Sequence, residues 1–451
     1  MIVQTLTIAR NAFVESLRQP IMLLLTLGAG VLQVFNTWNT GFAMGLEETG
    51  EVQGDNKMLL DVGLATVFVM ATLLAAFIAT ATLSREIENK TALTVVSKPV
   101  GRPTVILGKY LGVSGAILLS VGAMIIFLLI AIRHGVLSNA SDTVDGPTVL
   151  FGLGAVGLSL VLAGWCNFFY GWNFSQVAMV LLTPSLVVGY VLLLNISPKW
   201  AWQDMSVDFK PQITMACCAL TLGTLVLTSV ALAASARLNQ VMTIFVCLGV
   251  FLASLLTNYF VGRFAYSNTD IGIVVVAAPT DPTRTAFDSP GDSYILELRK
   301  PPDMPVKPGE SIYYGSNGSG FDLAVPAFRG FEGDVNEPDQ LFAASVPAAL
   351  VVTKSDGKSL TVRHIGGRAL SIRRPPAVDD FVFTKPTRVN FLAMPLWAVL
   401  PNMHYFWLLD AVSQNEPVPL EYVLEAMVHA GAMITVFLSL AVILFQKRDV
   451  G

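Results

Sequence analysis

Long apolar segments separated by short polar ones dominate the pattern along the chain. Eight segments have the composition of membrane-spanning helices, which take about 20 residues each. They are Ile21 to about Phe35, Leu59 to Leu83, Tyr110 to Ile132, Val149 to Tyr170, Val177 to Ile196, Ile213 to Ala234, Val241 to Val261 and Met427 to Phe445. Ahead of them, apolar residues recur at helical spacing at Ile2, Leu6, Ala9, Phe13 and Leu17. This spacing predicts a short amphipathic helix lying in the membrane interface.

The pattern changes between Phe264 and Leu392, where Pro, Gly, Asp and Ser separate short β-rich runs. The runs that predict strands are 271–276, 294–298, 348–353, 360–363 and 381–383. We therefore predict a polytopic α-helical membrane protein of about eight spans with an inserted, mainly β, sandwich-like domain. Residues 1–263 hold the interfacial helix and about seven spans, 264–392 the β-rich domain, and 393–451 outer interfacial or re-entrant helices and the last span.

Composition supports a membrane protein and excludes other classes. Hydrophobic residues make up 53% of the chain and charged residues 13%, with a mean hydropathy of +0.62. The net charge of −4 includes no basic block, so we expect no nucleic-acid partner. The cysteines fall in apolar runs and are expected to be buried hydrophobic residues, not a disulfide framework or a metal site, at Cys166, Cys217, Cys218 and Cys247.

The distribution of Lys and Arg among short loops predicts the orientation, because cytoplasmic loops carry the excess. One side has Arg10, Arg18, Arg85, Lys90, Lys98, Arg102, Lys109, Arg237, Lys447 and Arg448, and the other has Lys57, Arg133, Lys199 and Lys210. We therefore expect both termini in the cytoplasm and residues 264–392 outside.

Known catalytic motifs are absent from the sequence. The stretch 101–109 has the wrong glycine spacing for a phosphate-binding P-loop, and Tyr110 stands where Ser or Thr is needed. No Gly-x-Ser-x-Gly or His-Glu-x-x-His occurs, and the four histidines share no metal-ligand spacing. We expect no enzymatic activity and no cofactor or metal in this chain.

The polar stretch 84–109 lies between two spans and must stay in water, since each charge at the bilayer centre costs about 2.5–3.5 kcal/mol. Ser84 is expected to cap a short helix that Pro99 and Pro103 end. The candidate coupling residues are Arg85, Glu86, Glu88, Lys90, Lys98, Arg102 and Lys109. A solvated loop without a partner has the same charge placement, so both interpretations stand at this point.

A second candidate site lies in the last span. Glu425 and His429 are four residues apart, so they share one face of a helix near its outer end. Ionisable residues inside a membrane can mark a polar path for protons or substrate. A hydrated, structural role near the interface is the alternative.

The segments Arg85 to Ala92, Ser97 to Arg102 and Ile106 to Lys109 resemble the cytoplasmic loop of type-2 ATP-binding cassette (ABC) exporter permeases. The start through Pro20 looks like the connector helix of that family, Phe445 to Asp449 like its C-terminal ending, and Pro401 to Tyr422 like its outer re-entrant helices. Two spans more than the usual six, and the inserted domain, depart from the family.

The resemblance implies a permease subunit in the bacterial cytoplasmic (inner) membrane that dimerises with a second copy or a homologue. It also implies a separate ABC ATPase subunit that carries ATP and Mg²⁺, with export of a substrate. The lipid bilayer surrounds the spans, and an envelope protein is a candidate partner of the outer domain.

Two other functions remain open. A membrane-anchored envelope receptor or scaffold would bind a partner through the β domain without transport. A secondary transporter would use Glu425 and His429, although the lack of buried charge in the other spans argues against it.

Overall fold

The computed structural model describes residues 2–39, 51–88, 101–136, 144–282, 287, 291–302, 304–315, 331, 335, 337, 350–365, 375–408 and 420–446. The chain forms two compact units. A membrane unit comprises Met1–Leu255 and Asn402–Gly451, and a β unit comprises Leu256–Pro401.

The membrane unit is built from long apolar helices. They are α1 (Ile2–Leu17), α2 (Pro20–Asn39), α3 (Glu51–Glu88), α4 (Arg102–His134), α5 (Gly146–Tyr170), α6 (Phe174–Leu194), α7 (Pro211–Ser235), α8 (Gln240–Leu255) and α9 (Leu420–Gln446). Within the described ranges, seven helices are long and apolar enough to cross a membrane, or eight if α8 and the following Tyr259–Ala265 form one span. The prediction of a polytopic helical membrane protein with about eight spans is confirmed.

The helices of the membrane unit share one apolar core but are covered unequally. α4 packs against α1, α2, α3 and α6, and α7 packs between α3 and α9. α5 packs mainly on α6, and its outward face leaves Leu153, Val161 and Phe168 exposed. Apolar side chains exposed on a span are compatible with lipid, because hydrocarbon replaces protein as the apolar surroundings.

We name the two ends of this bundle by an arginine at each. At the Arg102 end, α4 begins close to the C-terminal ends of α3, α7 and α9. At the Arg133 end, α4 ends beside the start of α5 and the C-terminal end of α6.

The β unit contains β1 (Tyr266–Ser267), β2 (Asp270–Pro279), β3 (Ser293–Leu298), β4 (Tyr313–Gly315), β5 (Leu350–Asp356), β6 (Ser359–His364), β7 (Phe381–Phe383) and β8 (Arg388–Val389). All pairs are antiparallel, and the main sheet has the order β4-β7-β2-β3-β6-β5. The five predicted strands are present, and the mainly β character of this region is confirmed. β1, β4 and β8 have two or three residues each, too few for an alternating pattern to predict them.

The main sheet closes on itself. The residues 309–312, which lead into β4, bond to β5: Gly309 N donates to Val352 O at 2.8 Å and Val352 N to Glu310 O at 3.0 Å. One closed sheet around a shared core of inward residues such as Leu296, Leu360 and Val382 replaces the expected sandwich-like arrangement. Closure removes the exposed strand edges that an open sheet leaves.

The region before the last span also differs from its prediction. A short helix Ala393–Val399 ends before Pro401, and a separate 3₁₀ turn follows at Met403–Phe406. Met403 and Phe406 are buried in the core of the membrane unit, and Phe406 lies against Gly223 of α7. Residues 409–419 of the expected re-entrant region lie outside the described residues.

Candidate functional site: the helix ends around residues 84–109

The polar stretch 84–109, which holds the candidate coupling residues, begins as a direct extension of α3. This helix has 38 residues and is about 57 Å long at 1.5 Å per residue, against about 30 Å of hydrocarbon. Arg85, Glu86 and Glu88 lie on its last turns. The separate short helix capped by Ser84 was therefore a wrong expectation, because Ser84 lies inside a continuous helix. Lys90 and Lys98 lie outside the described residues.

α4 begins at the far end of the stretch. Gly101 is its N-cap and Pro103 occupies its second position. A proline in the first helical turn loses no hydrogen bond, since that N–H has no helical partner. Pro103 thus starts a helix, contrary to the expectation that it ends one.

Two glycines of α4 lie in the contact with α1. A Cβ added to Gly108 would lie 2.9 Å from Thr5 O, and one added to Gly112 would lie 2.7 Å from Ala12 Cβ. The missing side chains let the two backbones approach closely, as small residues do between membrane helices. The amphipathic helix expected at the N-terminus is therefore tied to the first turns of α4.

Lys109 is buried, with 6% of its surface exposed, and its Nζ donates to Thr82 O at 2.5 Å. Charge-assisted hydrogen bonds are stronger than neutral ones, above all away from water. Lys109 therefore joins the start of α4 to the end of α3 and lies inside the bundle. Its burial does not fit a residue on a docking surface.

Two arginines hold the end of the last span. Arg102 Nη1 donates to Gln446 O at 2.6 Å, and Arg237 Nε donates to Leu444 O at 3.0 Å. The last carbonyls of a helix have no partner within it and carry partial negative charge, so cations stabilise them. Arg102 therefore joins the start of α4 to the end of α9, and Arg237 joins the end of α7 to the same end of α9.

An apolar cluster lies next to these arginines, on the side toward the middle of the bundle. It contains residues from the same three helices, among them Ile106, Tyr110, Leu232, Ala441 and Phe445. Each is less than a tenth exposed. The Arg102 end is thus held by both hydrogen bonds and packing.

The two residues of the second candidate site have different surroundings. Glu425 is exposed, whereas His429 is half-buried with its ring stacked on Tyr405 at a centroid distance of 5.0 Å. His429 Nε2 has no hydrogen-bond partner among the described residues, and no ion pair joins it to Glu425 there. Tyr422 Oη donates to Tyr405 O at 3.1 Å. The structure therefore places His429 against the 403–406 turn and leaves Glu425 outside that contact.

A buried charge network at the Arg133 end escaped the sequence analysis. The Arg133 side chain is 3% exposed and pairs with both Asp145 and Asp208, while its Nη2 donates to Ile196 O at 2.7 Å. Asp145 also caps α5 by accepting from Thr148 N. One guanidinium thus connects α4, α5, the end of α6 and the segment before α7.

That segment contains a one-turn helix, Met205–Asp208. Asp204 caps it, and the N–H and hydroxyl of Ser206 hold the pKa of the Asp204 carboxyl below its usual value. Gln203 Nε2 donates to Asp208 Oδ2 at 2.6 Å. One part of the Arg133 network could have been found in the sequence. The run Asp145-Gly-Pro-Thr148 at the start of α5 is a typical N-cap pattern.

A family model described as ABC-2 family transporter protein matches residues 58–240. Residues 58–240 are therefore similar to the membrane domain of ABC-2 transporters. The match runs from α3 to the first residue of α8, so it includes the polar stretch 84–109 and Arg133. A comparison with curated proteins found no match, and one with solved structures found none either.

The resemblance to type-2 ABC permeases is confirmed by this match. It supports a multi-pass permease of an ABC transporter, a family of transport membrane subunits that implies an ATPase partner and surrounding lipid. The β unit lies outside the matched range.

Within the described residues no group of His, Cys, Asp and Glu could hold a metal ion. Cys217 and Cys247 are buried, whereas Cys166 is half-buried and Cys218 exposed, contrary to the expectation for those two.

Proposed function

We propose that the chain is the permease subunit of an ABC exporter and that residues 84–109 couple it to a separate ATPase. One observation carries the proposal: α3 extends beyond the length of a span into this segment, and α4 returns from it locked to α3, α7 and α9. A push on the segment would therefore move four helices together. Such coupling needs a contiguous, rigid set of elements.

The residues of the proposed ATPase contact divide into two groups. Arg85, Glu86 and Glu88 on the α3 extension, with Lys90 and Lys98, form the docking surface. Arg102 and Lys109 act as positioning residues, because both are engaged with other helices.

The proposal includes an orientation and an assembly. The Arg102 end faces the cytoplasm with both termini, and residues 264–392 lie outside the bacterial cytoplasmic membrane, where an envelope protein is a candidate partner. The permease works as a dimer with a second copy or a homologue, and ATP and Mg²⁺ bind to the ATPase.

Co-expression with candidate ABC ATPases from the source genome, followed by co-purification, tests the coupling. Glu88→Arg reverses a charge on the docking surface and is expected to lose the ATPase. Lys210→Glu reverses an exposed charge at the Arg133 end and serves as the matched control. Retention of the ATPase by Glu88→Arg at the level of the control contradicts the docking assignment. A wild-type chain that captures no ATPase favours the receptor or scaffold function instead.

A further inference from the structure

A groove of about 380 Å³ lies between α5 and α6 in the membrane unit. Its walls are apolar except for Ser185, and they include Leu150, Gly154 and Leu158 on α5 and Pro184 and Val188 on α6. The volume is in the range of ligand sites, which are mostly about 300–1,000 Å³. None of the residues that line the groove belongs to the proposed coupling segment.

The position of the groove along the helices matches one half of a membrane. Its α5 wall runs from Leu150 to Leu158 and its α6 wall from Pro184 to Leu192, about 12 Å each at 1.5 Å per residue. Half of a hydrocarbon core is about 15 Å. Since Leu158 and Pro184 lie midway along their helices, the groove reaches from the middle of the bundle toward the Arg133 end. Leu150, Leu158 and Val188 are more than half exposed, so hydrocarbon has access to it.

An aromatic residue in an unusual conformation stands at the outer end of the groove. Trp200 has φ +61°, a left-handed conformation that is rare for a bulky residue. Its ring lies 6.5 Å from that of Phe151, which lines the groove, and a Cβ on Gly146 would be 3.4 Å from its Nε1. The indole is 57% exposed. Indoles with one apolar and one wet side favour the level of lipid headgroups.

The turn that carries Trp200 is fixed to the rest of the bundle. Ser197 N donates to Ala201 O at 2.8 Å, and Arg133 binds the carbonyl of Ile196 at the start of the turn. Lys199, the residue before Trp200, is exposed. An ammonium group next to an interfacial tryptophan attracts the negative charge of an anionic lipid headgroup.

We propose that this groove binds one phospholipid with an anionic headgroup. One acyl chain fills the groove between α5 and α6, Trp200 lies at the glycerol level, and Lys199 meets the phosphate. The lipid covers the exposed side chains of Leu150 and Leu158 on α5. The inference does not depend on the proposed coupling to an ATPase.

Native mass spectrometry of the full chain in detergent tests the proposal with phosphatidylglycerol and phosphatidylcholine of identical chains. Gly154→Trp is expected to fill the groove and weaken phosphatidylglycerol binding about tenfold, since the indole takes the place of the acyl chain and removes its apolar contacts. Gly157→Trp is the matched control, because neither glycine has a neighbour within 4 Å of an added Cβ and only Gly154 lines the groove. Val188→Phe and Val187→Phe form a second such pair should the tryptophans disturb folding.

Lys199→Gln tests the headgroup contact. It is expected to remove the preference for phosphatidylglycerol over phosphatidylcholine, whereas Lys210→Gln, another exposed lysine, leaves the preference intact. Equal lipid binding by wild type, Gly154→Trp and Val188→Phe overturns the proposal. So does loss of a dimer peak in Gly154→Trp without loss of lipid, because the groove would then hold a second copy of the chain.

Discussion

Arg133 Nε lies 3.0 Å from Asp208 Oδ2, although 75 residues separate them in the chain. The same guanidinium, at the end of α4, pairs with Asp145 at the start of α5, so one cation compensates two carboxylates. Burying such charges is costly unless each is paired and hydrogen-bonded, which this arrangement provides. Arg133 is therefore the cation shared by both carboxylates at this end of the membrane unit.

Replacing that side chain should destabilise the protein strongly. Arg133→Met leaves Asp145, which is 7% exposed, without its cation, and breaking a buried pair costs about 3–5 kcal/mol. Denaturant unfolding of the purified chain in detergent measures the change. Arg299→Met is the control, because its pair with Asp379 is mostly exposed and worth about 0–1 kcal/mol. Equal losses in both variants would disprove the special role of Arg133.

The contact between α1 and α4 should not tolerate an added methyl group at Gly112, where the two helices are closest. In Gly112→Ala the new Cβ meets Ala9 O and Ala12 Cβ, and the expected loss from overpacking is about 1–3 kcal/mol. Gly115→Ala is milder, since its Cβ would meet only the ring of Phe13 at 3.3 Å, and a ring can turn. Hydrogen exchange of α1 should rise in the first variant alone. Similar exchange in both would show that α1 is held by other contacts.

Lys109→Met should separate docking from coupling. Loss of the charge-assisted bond to Thr82 O weakens the α3–α4 contact by about 1.5–3 kcal/mol, whereas the docking surface stays unchanged. We expect the ATPase to co-purify normally and its ATP hydrolysis in the complex to fall severalfold. Arg10→Met, an exposed cation on α1, is the control. Loss of co-purification in Lys109→Met would instead place Lys109 in the docking surface.

The proposed orientation predicts opposite labelling of two exposed positions. In a chain whose four cysteines are replaced by serine, Lys358→Cys in the β5–β6 turn should react with an impermeant maleimide on intact cells. Arg10→Cys should react only after the membrane is opened. Both side chains are exposed, so accessibility differs only by side. The reverse labelling pattern would refute the orientation.

Most of the architecture follows from local features of the sequence. Span length depends on apolar composition over about 20 residues, and the β5–β6 hairpin on the turn around Gly357, whose φ is +60°. Such features need no knowledge of distant residues. The sequence alone therefore determined the membrane class, about eight spans, five strands and the position of the polar stretch 84–109.

Contacts between distant residues required the tertiary structure. Lys109 and Arg133 both look like loop charges because each lies at the end of an apolar segment, yet each is buried among the ends of other helices. Likewise, the closure of the sheet depends on residues 309–312 meeting β5 about 40 residues later. Charge placement along the chain fixed which segments stay polar, but only the packing of helix ends decided which charges face water and which hold the bundle together.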